Sequence, residues 1–148
     1  MSDKKSSNGN IIVVDNSLIQ KKIQFIRNMQ IMIDRDIAEL FDVETKRLNE
    51  QVKRNIERFP EEFCFQLTDK EKAEVVAKCD HLQNLKFSPN LPYAFTEQGV
   101  AMLSAVIRSE TAVKMSIQIM KAFIHYRVMG YSRKTVYIFW IKPLGDIA

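Results

Sequence analysis

Cysteine is scarce in this chain. Cys64 and Cys79 are the only two among 148 residues, and no C-x-x-C pair or Cys/His cluster accompanies them. That argues against a structural zinc site and leaves two reduced thiols of an intracellular protein as the expectation. Glycine and proline number four each, and no linker or internal repeat divides the sequence. No apolar run approaches the ~18 residues of a membrane span. The start, Met1 to Asn10, is polar and lacks the apolar stretch of a signal peptide. A cytoplasmic protein with no membrane partner is the expectation. Acid is missing from one whole region. From Thr111 to Gly145 there is no Asp or Glu, while Lys114, Lys121, Arg127, Arg133, Lys134 and Lys142 are basic. What remains is 46% hydrophobic and 27% charged, enough for one domain with a real core. A net charge of +4 and a pI near 9.1 point only weakly to nucleic acid.

The distribution of charge says more. Lys46 to Arg58 holds five basic residues against two acids. On a helix of 3.6 residues per turn, Thr45, Leu48, Val52, Ile56 and Phe59 share one side. Arg47, Gln51, Arg54 and Arg58 share the other, flanked by Lys46 and Lys53. Thr45 is placed to cap this helix and Pro60 to stop it. An apolar side that needs a partner and an opposite side of cations and an amide is the layout of a recognition helix. The plainer reading is a solvated surface helix in which Glu50 and Glu57 pair locally with Lys46, Lys53 or Arg54.

Upstream, Ile11 to Val14 is a short β-branched run of unassigned role. Ile23 and Phe25, then Ile31 and Ile33, suggest two short strands with these residues inward, joined by a turn at Arg27-Asn28-Met29-Gln30. Asp34 is expected to cap a short helix through Phe41, with Ile37, Leu40 and Phe41 inside. Asp42-Val43-Glu44 then breaks it before the basic helix, a helix-turn-helix arrangement with a hairpin wing. Beyond Pro60, Phe63, Phe65 and Leu67 alternate as a strand, and Thr68-x-x-Glu71 opens a helix with a capping box to about Cys79. Asp80 to Asn90 reads as a loop, and Leu91 to Phe95 as extended. Thr96 caps a helix to about Arg108 that is apolar nearly all round and so expected to be buried. Ser109 caps a last helix with a seam of Val113, Ile117, Met120 and Ile124, ended by Gly130. The fold class is therefore α+β: a short β-hairpin with a helix-turn-helix, winged-helix-like, plus further short strands and C-terminal helices.

Three blocks of residues carry a resemblance. Val43 to Asn55 with Arg58-Phe59-Pro60-Glu61 and Phe65-Gln66-Leu67-Thr68 form the first. Leu91 to Leu103 is the second, and Ile117 to Phe123 the third. In this order, over roughly Ile23 to Arg127, the chain resembles the ORF-6 N-terminal domain of phage and bacterial regulators, a family related to KilA-N and more loosely to Bro-N domains. The resemblance implies a sequence-specific double-stranded DNA-binding domain in a phage-derived regulator, antirepressor or antitoxin-like protein. On that reading residues 1–20 are a disordered or loosely attached segment, 21–130 the KilA-N-like domain, and 131–148 an unassigned β-prone aromatic tail. The family usually has glycine where this chain has Asn28 and Asp42, and a glycine-rich basic loop where it has Leu85 to Asn90. After Arg127 the resemblance ends.

In the DNA reading Lys46, Arg47, Lys53, Arg54 and Arg58 supply phosphate contacts, with a guanine contact among the arginines. Asn49 and Gln51 carry the paired donor and acceptor that suit adenine. Asn55 stands between a base contact and a buried structural amide. Asp34, Asp36 and Glu39 could be imagined as a metal cluster, but the aspartates are better used at a helix start. His81 and His125 read as ordinary polar residues, and Tyr93 and Phe95 as inward strand residues. No enzyme activity and no cofactor are expected. The alternative is a protein-interaction module acting through the last helix and tail, with Lys114, Gln118, Lys121 and His125 meeting an acidic partner in a phage regulatory circuit. Val136 to Ile141 could dock in a homodimer.

Overall fold

In the computed structural model, which describes residues 16–130, the first hairpin is set by its turn. Arg27 and Asn28 carry φ of 57° and 62°, the pair of left-handed residues that a two-residue hairpin turn needs to match strand twist. Strand β1 (Gln24–Ile26) thus pairs antiparallel with β2 (Met29–Ile33), Gln24 opposite Ile31 and Ile26 opposite Met29. This turn is two residues shorter than the sequence suggests, and the inward face of β1 also differs from the expectation. Ile23 is inside as expected, but Phe25 is not. Gln24 and Ile26 are buried, and Phe25 lies outside against Tyr126, ring centroids 5.4 Å apart.

Strands β3 (Cys64–Gln66) and β4 (Tyr93–Phe95) complete a four-stranded antiparallel sheet of order β1-β2-β4-β3. Alternation along β2 and β4 sends side chains to both faces, and both are covered. Met32 and Phe95 join one core with Ile37, Phe41, Leu48, Val52, Leu103 and Phe123. Ile31, Ile33 and Ala94 join another with Phe65, Val75, Leu82 and Leu85. The chain is therefore α+β, as the sequence pattern requires.

Helix α1 (Asn16–Lys21) packs against the last helix with Ile19 fully buried. Residues 16–20 are thus part of the folded unit rather than a loose segment, because one isoleucine on a single helical turn finds a core to enter. Helices α2 (Asp34–Phe41) and α3 (Thr45–Arg54) follow β2. Helix α4 (Asp69–Lys78) starts with the expected capping box: Thr68 Oγ1 accepts from the Glu71 N–H and the Glu71 carboxylate accepts from the Thr68 N–H. Asp80–Phe87 is 3-10 helix rather than loop, held by buried Leu82 and Leu85. Helices α5 (Glu97–Ile107) and α6 (Glu110–His125) are capped by Thr96 and Ser109 as expected, and a π turn runs on from α6 over Tyr126–Gly130.

Two packing expectations fail here. Helix α5 is not buried all round, since Ala101 and Ala105 face solvent. The seam of α6 is inverted: Ala112, Met115, Ile119 and Phe123 enter the core, while Val113, Ile117 and Ile124 stay out. The polar start Met1–Asn10, the run Ile11–Val14, and the tail from 131 with its Val136–Ile141 segment lie outside the described residues.

The α2–α3 junction carries a prediction. Asp42 sits at φ 61°, ψ 45°, its N–H donating to the Glu39 carbonyl and that of Val43 to the Ala38 carbonyl, a Schellman stop. A side chain there strains a left-handed backbone by roughly 1–2 kcal/mol, less for Asp than for most residues. Asp42→Gly should therefore raise stability by up to about 1 kcal/mol, and Asp42→Val should lower it by about as much. Urea unfolding of the two variants reads both signs.

Candidate nucleic-acid interface

Helix α3 places the expected site. Leu48 and Val52 are its buried side, 0% and 5% exposed. The helix ends at Arg54, earlier than the wheel suggests. Asn55 leaves the helical region at φ −121°, ψ 36°, while its side-chain Nδ2 donates to the Gln51 carbonyl at 2.8 Å. Asn55 is thus the structural amide of its two readings. A 3-10 turn, Ile56–Arg58, follows. It returns Phe59 to the core but leaves Ile56, expected inside, 60% exposed. At the other end Glu44 is the N-cap and Thr45 the first helical residue, so Thr45 does not cap.

Lys46, Arg47, Lys53 and Arg54 lie exposed on α3, and Arg58 lies exposed on the 3-10 turn beyond it. Arg58 therefore does not continue the line of Arg47, Gln51 and Arg54 on one helix. Gln51 is half-buried between them. None of the five cations has an ion-pair partner among the described residues. The local pairing that Glu50 and Glu57 offered is absent as well, so the positive charge is not neutralised from within.

Asn49 departs from its expected role. Its Nδ2 donates to Asp34 Oδ2 at 2.9 Å, and its Oδ1 is buried without a hydrogen-bond partner. The amide faces inward and is not presented to a base. Asp34 in turn is no N-cap. It is the first residue of α2, and its carboxylate accepts from the N–H of Arg35 at 2.7 Å and of Tyr93 at 3.3 Å. One buried carboxylate thus ties α2, α3 and β4 together behind the basic surface. Burial pushes its pKa above the ordinary carboxylate value, against the pull of the Asn49, Tyr93 and Arg35 donors. The same burial, with Asp34 nearby, pushes the Cys64 thiol up to about 12, which leaves it a poor nucleophile.

His81 also has a role the sequence hides. Its Nε2 lies 3.1 Å from Asp36 Oδ2, and Lys22 Nζ lies 3.6 Å from the other oxygen. Asp36 is 1% exposed, and burial raises its pKa while His81 and Lys22 oppose the rise. This pins the 80–87 segment and the end of α1 to the first turn of α2. No local signal marks such a pair, because the partners lie 45 residues apart. Among the described residues no three His, Cys, Asp or Glu form a group able to hold a metal ion.

The sequence profile of the ORF6N domain matches residues 21–106. The chain belongs to the ORF6N domain family. The matched stretch begins at the end of α1 and closes within α5, so it includes the sheet and the α2–α3 pair but not α6. Comparison with curated proteins and with solved structures returns no match. Membership points to a regulatory protein of phage type. No helix among the described residues is long and apolar enough to cross a membrane. The two positions where the family usually has glycine, Asn28 and Asp42, are both left-handed here, with φ of 62° and 61°. Asn and Asp tolerate that region better than other side chains, which accounts for both departures.

Proposed function

We propose that this ORF6N domain binds double-stranded DNA in a sequence-specific manner, as the DNA-reading part of a phage-derived transcriptional regulator. The observation that carries the reading is the cluster of five unpaired cations on α3 and the turn after it, on a two-helix unit whose rear is locked by Asp34. In this reading α3 is the recognition helix of a helix-turn-helix. Lys46, Arg47, Lys53, Arg54 and Arg58 meet phosphates, and Gln51, set among them, reads a base edge. Asn49 acts behind the surface, orienting α3 on α2. The domain performs no catalysis.

Phosphate and base contacts differ in salt dependence, and that difference tests the proposal. Selection from a random duplex pool supplies the preferred site. Lys53→Ala should weaken binding to preferred and scrambled DNA alike, and flatten the salt slope by about one unit. Gln51→Ala should cost roughly 1–3 kcal/mol on the preferred site alone, with the slope nearly unchanged. Salt titrations of both variants on both DNAs are the measurement. Wild-type behaviour of both at every salt would remove α3 as the reader.

A further inference from the structure

Helix α6 is apolar on two sides, and only one is used. Ala112, Met115, Ile119, Ala122 and Phe123 lie in the core. On the outer side Val113, Ile117 and Ile124 remain 47%, 50% and 49% exposed, with Met120 in line between them, half-buried and packed partly against the core. Steps of four, three and four residues are the spacing of a coiled-coil seam, which keeps one stripe facing a partner helix. Val128, 57% exposed, extends the patch past the helix end. The flank of the seam carries exposed Lys114, Lys121 and His125. Lys114 has Glu110 at 3.4 Å, but Lys121 has no ion-pair partner among the described residues, and the sequence from Thr111 to Gly145 holds no acid.

We propose that this outer seam of α6 docks an amphipathic helix of a partner protein, one whose apolar stripe is bordered by Asp and Glu. The seam supplies anchors at helical spacing for a helix laid along it, and the flank, basic from Lys114 onward with Glu110 its one acid, selects the sign of the partner. A second copy is the poorer occupant, because it would bring the same basic flank against itself. A lipid surface fits less well too. The anchors are only about half exposed, whereas an interfacial helix sinks its whole apolar face roughly 5–10 Å into the membrane. The inference is independent of DNA binding by α3.

The test uses the full chain and two labelled peptides of about three heptads, both with leucine at the seam positions, one flanked by glutamate and the other by lysine. In fluorescence-anisotropy titrations at low salt the glutamate peptide should bind at least about tenfold tighter than the lysine peptide. Ile117→Glu should weaken it by about tenfold or more, and the double variant Lys114→Glu with Lys121→Glu should invert the preference between the peptides. All three substitutions lie on an exposed face, and unchanged thermal melts confirm that the fold persists. Equal binding of both peptides, or none of either, overturns the proposal. So does a dimer in sedimentation that Ile117→Glu dissolves, which would make a second copy the occupant. Binding to phosphatidylserine vesicles that Ile117→Glu abolishes would overturn it in favour of a membrane.

Discussion

Gly99→Ala should cost at least about 3 kcal/mol, a large part of the stability of a domain this size. Gly99 stands in the first turn of α5, where the helix start meets the chain leading into β3. The Thr96 N–H donates to the Phe63 carbonyl at 3.0 Å, and the Thr96 hydroxyl donates to the Glu62 carbonyl at 2.9 Å. These bonds bring the helix so close that a Cβ on Gly99 would overlap the Phe63 carbonyl oxygen and touch its carbon at 3.0 Å. The obstacle is backbone, and the next residues are held by the β3–β4 ladder, so it cannot step aside as a side-chain tip would. Either α5 retreats and Thr96 loses its partners, or the strand distorts. Ala101→Gly is the matched control, exposed in the same helix and expected to cost about 1 kcal/mol through propensity alone. Urea midpoints of the pair decide the matter. A Gly99→Ala loss no larger than that of the control would mean that the close approach does not constrain the fold.

Val52→Asp and Arg54→Ala should separate by several kcal/mol although they are two residues apart. Val52 is 5% exposed among Leu48, Phe59 and Leu103 in the core, where a carboxylate finds no partner. A loss of about 3–5 kcal/mol is expected for it. Arg54 is exposed and unpaired on the opposite face, and its truncation should change stability by less than about 0.5 kcal/mol. Thermal melts of both variants test the face assignment on which the proposed DNA contacts depend. Similar losses in the two would show that α3 does not present its cations to solvent.

What was legible in the sequence is what local chemistry decides. Thr68-x-x-Glu71, Thr96 and Ser109 mark helix starts because a hydroxyl needs only an N–H two or three residues ahead. Asn28 marks a left-handed turn for the same local reason. The two faces of α3 follow from helical spacing together with the contrast between Leu48 and Val52 and the cations opposite them.

Where such contrast is missing, only tertiary structure chose. Helix α6 has two apolar seams at valid spacing, so periodicity alone could not say which faces inward. The body of the fold takes the side with Ala112, Ser116 and Ala122, where small side chains let α1, α2 and α5 pack close. The face of β1 turned inward follows its partners, Gln24 lying opposite buried Ile31, and α3 ends where Asn55 leaves the helical region with its side chain bonded to the Gln51 carbonyl. Asn49 carries an amide equally suited to a base or to a buried carboxylate. Asp34, 15 residues earlier, claimed it. Spacing reveals which residues share a face, but a partner distant along the chain is set by the packing of the whole, and that packing assigned the inward roles of Asn49 and Asp36 and the pairing of His81 with Asp36.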